Sequence, residues 1–279
     1  MFNALSLLFG LAPAFVELQV PPAPRAPMSA SAFPAPIVVA PSALVIDAAS
    51  GVTLFSKSAD RERPIASLTK LMTAIVVREH YALTDVVTVS RTASLVEPAK
   101  AWLQAGEKIT VRELLSALLI ASANDAALAL AEHFPGGTDA FVVAMNAKAT
   151  ALNLHHTHFA NPVGLDDPDN YSTARDLSVI ASYVLRDTLI ASLVATDKAA
   201  AHSLDGKLTH PLTSTNKLFG SYLDIRGLKT GSTPAAGECL AALARNGRGA
   251  DVLAIVLDSP QRFQEAKILL EWANTAHSW

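Results

Sequence analysis

The sequence is short of several features that mark out whole classes of protein. It holds one cysteine, Cys239, so no internal disulfide can form. That residue sits in an apolar run and reads as a small buried hydrophobe rather than a redox centre. Charge is sparse, at 17% of residues with a net of −3, and lysine and arginine form no cluster. A nucleic-acid footprint is therefore excluded. No internal repeat is visible. The apolar start, residues 1–15, is too short to cross a bilayer as a helix. What remains is a chain of 279 residues, 51% hydrophobic, which can build a large core in one or two domains and is not disordered.

Residues 1–15, "MFNALSLLFGLAPAF", have the character of an export signal, with Ala12-Pro13-Ala14 in the small-x-small form of a cleavage site. No lysine or arginine precedes the apolar run, which makes the signal atypical. Seven of the sixteen prolines then fall between Pro21 and Pro41. Proline and alanine at this density cannot build a core, so residues 16–36 read as an extended tether. The folded domain is expected over 37–279, in the periplasm.

From there the pattern becomes regular. "SALVIDAASGVTLFSKS" alternates apolar and polar residues on both sides of Ala49-Ser50-Gly51 and reads as a β-hairpin. Residues 67–79 are apolar nearly all round, as in a buried helix. The middle of the chain carries i, i+3, i+4 apolar spacing in "TVRELLSALLIAS", "DAALALAEHF", "TDAFVVAMNAKATALNL" and "STARDLSVIASYVLRD". "LDIRGLKTGS", "GECLAALARN" and "ADVLAIVLDS" then read as a meander of strands, followed by a last helix over 261–276. The expected fold is an α/β (α+β) sandwich. Its antiparallel sheet draws on both chain ends and is flanked by helices, with an all-helical lobe inserted between. A sheet so built needs a cover, so the last helix is expected to pack on it rather than lie on a membrane.

Three short motifs carry chemistry. Ser67 and Lys70 in "PIASLTKLMTAIVV" are three apart, hence neighbours on one helix face. A buried lysine loses its charge readily and can then take a proton from a serine hydroxyl. The plain alternative is a capping serine with a lysine that reaches solvent. The same spacing recurs at Ser214–Lys217, where the helical run fails at Gly220. Ser122-Ala123-Asn124 lies between two helical runs, as a turn or a cap before Asp125. Lys229-Thr230-Gly231 ends a predicted strand. Each motif alone is weak, but the three occur in this order and each on the element type the chemistry requires.

These residues resemble the three active-site motifs of the penicillin-recognising serine D,D-peptidases. The resemblance runs from about residue 43 to 272 and is strongest to low-molecular-mass penicillin-binding proteins. Pro135-Gly136-Gly137, "MNAKA" and "TSTNKL" resemble the D-alanyl-D-alanine endopeptidase branch. The resemblance implies a Ser67 nucleophile with Lys70 as general base. It implies that Ser122 relays a proton to the leaving amine and that Asn124 orients Lys70 and the substrate amide. Lys229 and Thr230 would bind the carboxylate beyond the scissile bond, and Gly231 would leave room for substrate along the strand. The amides of Ser67 and Ser232 would form the oxyanion hole. No metal or other cofactor is implied. The partners implied are peptidoglycan stem peptides, with β-lactams as covalent inhibitors. The C-terminal β domain and amphipathic anchor of the carboxypeptidase branch are not seen, so no stable membrane anchor is expected.

Other readings compete. His155, His156 and His158 lack the i, i+4 spacing of a helical zinc pair. Cys239 as nucleophile has no histidine partner evident in the sequence. A class A-like β-lactamase shares the motifs but needs a glutamate to activate water, and none occurs between Glu132 and Glu238. A carboxypeptidase and a non-catalytic peptidoglycan-binding module are the remaining alternatives.

Overall fold

A computed structural model describes residues 26–29 and 33–279, so the export-signal segment and most of the tether lie outside the described residues. Thirteen strands are described. The shortest, β1 (Met28–Ser29), lies ahead of β2 (Ser42–Asp47) and β3 (Thr53–Lys57). In the lobe, β4 (Arg63–Pro64) pairs with β7 (Tyr171–Ser172), and β5 (Val86–Thr88) with β6 (Lys108–Thr110). There too β8 (Lys198–His202) pairs with β9 (Thr209–Thr213). The chain closes with β10 (Asp224–Thr233), β11 (Gly237–Arg245), β12 (Asp251–Leu257) and β13 (His277–Ser278).

The main sheet has the order β10-β11-β12-β2-β3, every pair antiparallel. Both chain ends supply it, as the alternating patterns require. Period-two alternation gives it two apolar faces. Leu44, Ile46, Leu243, Leu253 and Ile255 point into the core shared with the lobe. Ala43, Val45, Leu240, Val252 and Val256 point the other way, onto Leu269, Leu270 and Ala273 of the last helix.

The helices are α1 (Lys70–His80), α2 (Arg91–Leu95), α3 (Val111–Ile120), α4 (Asn124–Glu132), α5 (Gly137–Ala151), α6 (Ala174–Val184), α7 (Thr188–Val194) and α8 (Arg262–Ala276). Polar caps set their starts: Thr110 Oγ1 accepts from Glu113 N at 3.3 Å at the head of α3, and Thr173 Oγ1 from Asp176 N at 3.0 Å at α6. Asp187 accepts from Leu189 N and Ile190 N, which starts α7 where the sequence pattern runs on from α6. No single helix among the described residues is long and apolar enough to cross a membrane.

Two expectations need correction. The lobe is not all-helical, since the small sheets β4–β7, β5–β6 and β8–β9 lie in it. The β8–β9 hairpin escapes notice because Ala199-Ala200-Ala201 reads as helix former, whereas tertiary pairing decides it. Sheet contacts also begin ahead of Ile37: Met28 and Ser29 pair with Ser278 and His277. The buried Glu265 carboxylate then accepts from the amides of Val39 and Ala40, tying this segment to α8.

Candidate active site

Ser67 lies not in the α-helix itself but in a 3-10 turn, Ala66–Thr69, that leads straight into α1. In such a turn residues i and i+3 eclipse, so Lys70 stands over Ser67. The turn is held under strain. Ala66, buried just ahead of Ser67, has φ +49, a left-handed conformation that costs an L-residue roughly 1–2 kcal/mol. It is kept there by close packing. A Cβ on Gly164 would lie 2.1 Å from the Ala66 carbonyl oxygen, so only glycine fits beneath the turn.

Lys70 is fully buried and its Nζ has three neighbours: Ser67 Oγ at 2.8 Å, Asn124 Oδ1 at 2.7 Å and the Val163 carbonyl at 2.6 Å. The Asn124 amide is oriented because its Nδ2 donates to the Glu97 carbonyl at 3.1 Å. Two of the three neighbours can only accept, whereas the serine hydroxyl can also donate. An uncharged amine has two N–H groups and one lone pair, so it satisfies this site with the lone pair facing Ser67. The electrostatics agree. Burial first, then the charge of Lys229, hold Lys70 well below the ordinary lysine value of 10.5, with Asp125 opposing. The reading of Lys70 as a surface-seeking side chain is thus excluded, and Ser67 makes no side-chain cap to α1.

The second motif forms the turn between α3 and α4. Ser122 has φ +59 and is buried, and Ala123 is the N-cap of α4 with no side-chain cap bond. Neither Ser122 nor Asn124 is therefore a helix cap. Ser122 Oγ accepts instead from Lys229 Nζ at 2.6 Å, and Lys229 also donates to the Thr230 carbonyl at 2.9 Å. Burial, then the nearby Arg262 guanidinium, pull Lys229 down to about 7. Thr230 Oγ1 meets Thr215 Oγ1.

Gly231 brings the third motif against the first: a Cβ there would stand 2.7 Å from Ser67 N and 2.9 Å from Ala66 Cβ. Ser232 follows, exposed, on an edge strand paired on one side only. The structure thus brings Ser67, Lys70 and Asn124 into one network and Ser122, Lys229 and Thr230 into a second beside it.

Three participants were not anticipated. The Val163 carbonyl and Gly164 carry no side-chain signal. Arg262, at the head of α8, donates Nη1 to the Gly231 carbonyl at 2.6 Å and places positive charge behind β10; its lone sequence signal is a basic residue at a helix start, where the dipole disfavours one. The other candidates have separate partners. Ser214 Oγ accepts from Asn216 N at 3.2 Å in a turn, and Lys217 Nζ lies 6.0 Å from the Phe263 ring centroid. His156 pairs with Glu62 at 2.9 Å, while His158 bonds the Asp169 carbonyl and stacks on Tyr171.

A serine bonded to a buried lysine, carried on a strained turn beside an open strand edge with two cations, defines an acyl-transferring serine enzyme of the Ser–Lys type. Comparison with known proteins narrows the class. A family model described as D-alanyl-D-alanine carboxypeptidase, peptidase family S11, matches residues 29–261, and the chain belongs to that family. It is 34% identical to the D-alanyl-D-alanine endopeptidase of Escherichia coli, over 96% of this chain and 88% of that protein. It is 35% identical to D-alanyl-D-alanine carboxypeptidase DacF of Bacillus subtilis over 75% of this chain, but spans only 54% of that longer protein. The crystal structure of the Streptomyces K15 DD-transpeptidase superposes with a TM-score of 0.81 at 34% identity, covering 86% of this chain and 98% of that one. The protein is a serine D,D-peptidase with a penicillin-recognising fold.

Proposed function

We propose that the protein hydrolyses D-alanyl peptide bonds of peptidoglycan stem peptides through a Ser67 acyl-enzyme, with cross-links between stems as its preferred substrate. The observation that carries the chemistry is the Lys70 site, two obligate acceptors and one serine hydroxyl around a buried amine. Neutral Lys70 takes the Ser67 proton as Oγ attacks the scissile carbonyl. The amides of Ser67 and Ser232 receive the developing oxyanion, and the close approach of Gly231 to Ser67 N supports that pairing. Substrate adds as a strand to the free edge of β10. Lys229, backed by Arg262, holds the carboxylate beyond the scissile bond, and Ser122, bonded to Lys229, gives its proton to the departing amine and is reprotonated from Lys70, which returns to its neutral form. Asn124 keeps Lys70 aimed at Ser67. Water then hydrolyses the ester and restores the Ser67 hydroxyl.

The preference for cross-links rests on the endopeptidase-like segments and on near end-to-end correspondence with the Escherichia coli endopeptidase. A periplasmic location belongs to the same proposal, supported by the cell-wall peptide substrate and the signal-like start; N-terminal sequencing of protein from the envelope fraction tests this. Incubation with cross-linked and uncross-linked muropeptides tests the reaction. Conversion of dimers to monomers, faster than pentapeptide trimming, is expected. Release of terminal D-alanine alone, with dimers untouched, would establish a carboxypeptidase instead.

A further inference from the structure

Trp102 is 73% exposed, while Ala101 and Leu103 on either side are each 3% exposed. It is also held in a conformation that a bulky residue avoids, with φ +65. What holds it there is the active-site turn. The Asp125 carboxylate, fully buried, accepts from Ala101 N through Oδ1 and from Leu103 N through Oδ2, each at 3.0 Å. Just upstream, the Ala99 carbonyl accepts from Asn124 N at 2.7 Å and the Glu97 carbonyl from Asn124 Nδ2. The loop is thus clamped, on both sides of the tryptophan, to the residues that follow Ser122 and orient Lys70. One face of the indole is also occupied. Lys100 Nζ lies 5.1 Å from the ring centroid and pairs with Glu97 at 2.7 Å. At 73% exposure most of the ring is left uncovered.

A strained, exposed tryptophan costs stability and yields no burial in return, unless something covers it when substrate is present. We infer that Trp102 is a specificity-determining residue: its uncovered surface packs on the stem-peptide residues upstream of the acylated D-alanine. The β10 edge bounds one side of a bound peptide, and the Ser122–Asn124 turn with its clamped loop bounds the other. The indole is the large apolar surface on that second wall. Asp125 is the positioning residue that sets the loop. This assignment rests on the D,D-peptidase reading.

The test compares two acyl donors. One is a cross-linked muropeptide dimer, which carries the upstream stem. The other is 6-aminopenicillanic acid, a β-lactam with no acyl side chain to reach the indole. Trp102→Ala should lower kcat/KM for the dimer by about tenfold, the value of one good aromatic contact. Its acylation by 6-aminopenicillanic acid should stay within about twofold of wild type, because the lactam makes no such contact. Trp102→Phe should recover most of the loss. Trp102→Gly, which suits the positive φ, should hold or raise Tm while still losing the dimer activity. Equal slowing with both donors would show that the substitutions distort the site, and no slowing with either would show that nothing rests on the ring; each overturns the inference. Wild-type protein inert toward both donors would overturn the D,D-peptidase reading, and this one with it.

Discussion

Replacing Gly231 with alanine probes the contact that joins the sheet to the Ser67 turn. The backbone of Gly231 lies outside the positive-φ region, so alanine suits its conformation and the conflict is one of space alone. The new Cβ would stand 2.7 Å from Ser67 N, against an ordinary contact of 3.4 Å or more. Relief requires β10 and the Ser67 turn to part by about 0.7 Å. Neither side gives easily, since the turn is wedged over Gly164 and β10 is held by β11 and Arg262. Overpacking of this kind costs roughly 1–3 kcal/mol of stability. The catalytic cost is larger. Loss of one oxyanion donor lowers rates about 10²–10³-fold, and a displacement of about 1 Å costs about 10²-fold. Gly231→Ala should therefore acylate with a fluorescent penicillin about 10²-fold more slowly while keeping its native circular dichroism. Gly247→Ala, with nothing within 4 Å of the new Cβ, is the matched control and should behave as wild type. Acylation of Gly231→Ala within about twofold of wild type would refute the claim that this contact positions the oxyanion donors.

Ser67→Ala should abolish both penicillin labelling and peptide hydrolysis, whereas Ser214→Ala should retain both; labelling in the first variant and not the second would move the nucleophile. Lys229 is held near 7 against 10.5 when exposed, so between those values the unfolded chain binds a proton that the folded chain has released, and stability rises with pH across that window. At most the gain is about 5 kcal/mol; denaturation at pH 7 and pH 10 should show a smaller difference in Lys229→Met, the residual belonging to Lys70, and an unchanged difference would refute the assignment. The penicilloyl enzyme should be long-lived: Glu132 closes α4 while Asn124 opens it, about 12 Å away along the axis, too far to activate a water at Ser67. Intact-mass measurements should show one added drug mass per chain for many minutes, and rapid return to free enzyme with drug turnover would reveal a deacylating base.

The central strands of the main sheet were legible because they are covered on both faces. Ala43-Leu44-Val45-Ile46 and Val252–Val256 send successive apolar residues to opposite cores, so few positions were free to be polar. The Ser67–Lys70 pair was legible because a lysine in a wholly apolar helix must have a partner. The parts not legible are those the backbone supplies. The Val163 carbonyl completes the Lys70 site without a side chain, and the left-handed turns at Ala66, Trp102 and Ser122 fall on residues that do not favour them. Tertiary packing imposes these conformations, and no local propensity announces them. Asn216, by contrast, sits in a turn-like stretch yet is buried and donates to the Gly227 carbonyl, a long-range role that turn propensity conceals.

The pairing of β2 with β12 brings Asp47 against Val252, some 205 positions apart. Until the C-terminal strands dock, β2 has its first hairpin partner but not its second, and the Ser67 turn has no β10 to lean on. Contacts of such separation also fold slowly. The helical lobe can condense early, but the pocket comes into being last, as the C-terminal strands dock. Penicillin labelling consequently serves as a clock for the final step of folding: a chain that shows the helical signal of the lobe and no label has built its lobe but has yet to close its sheet.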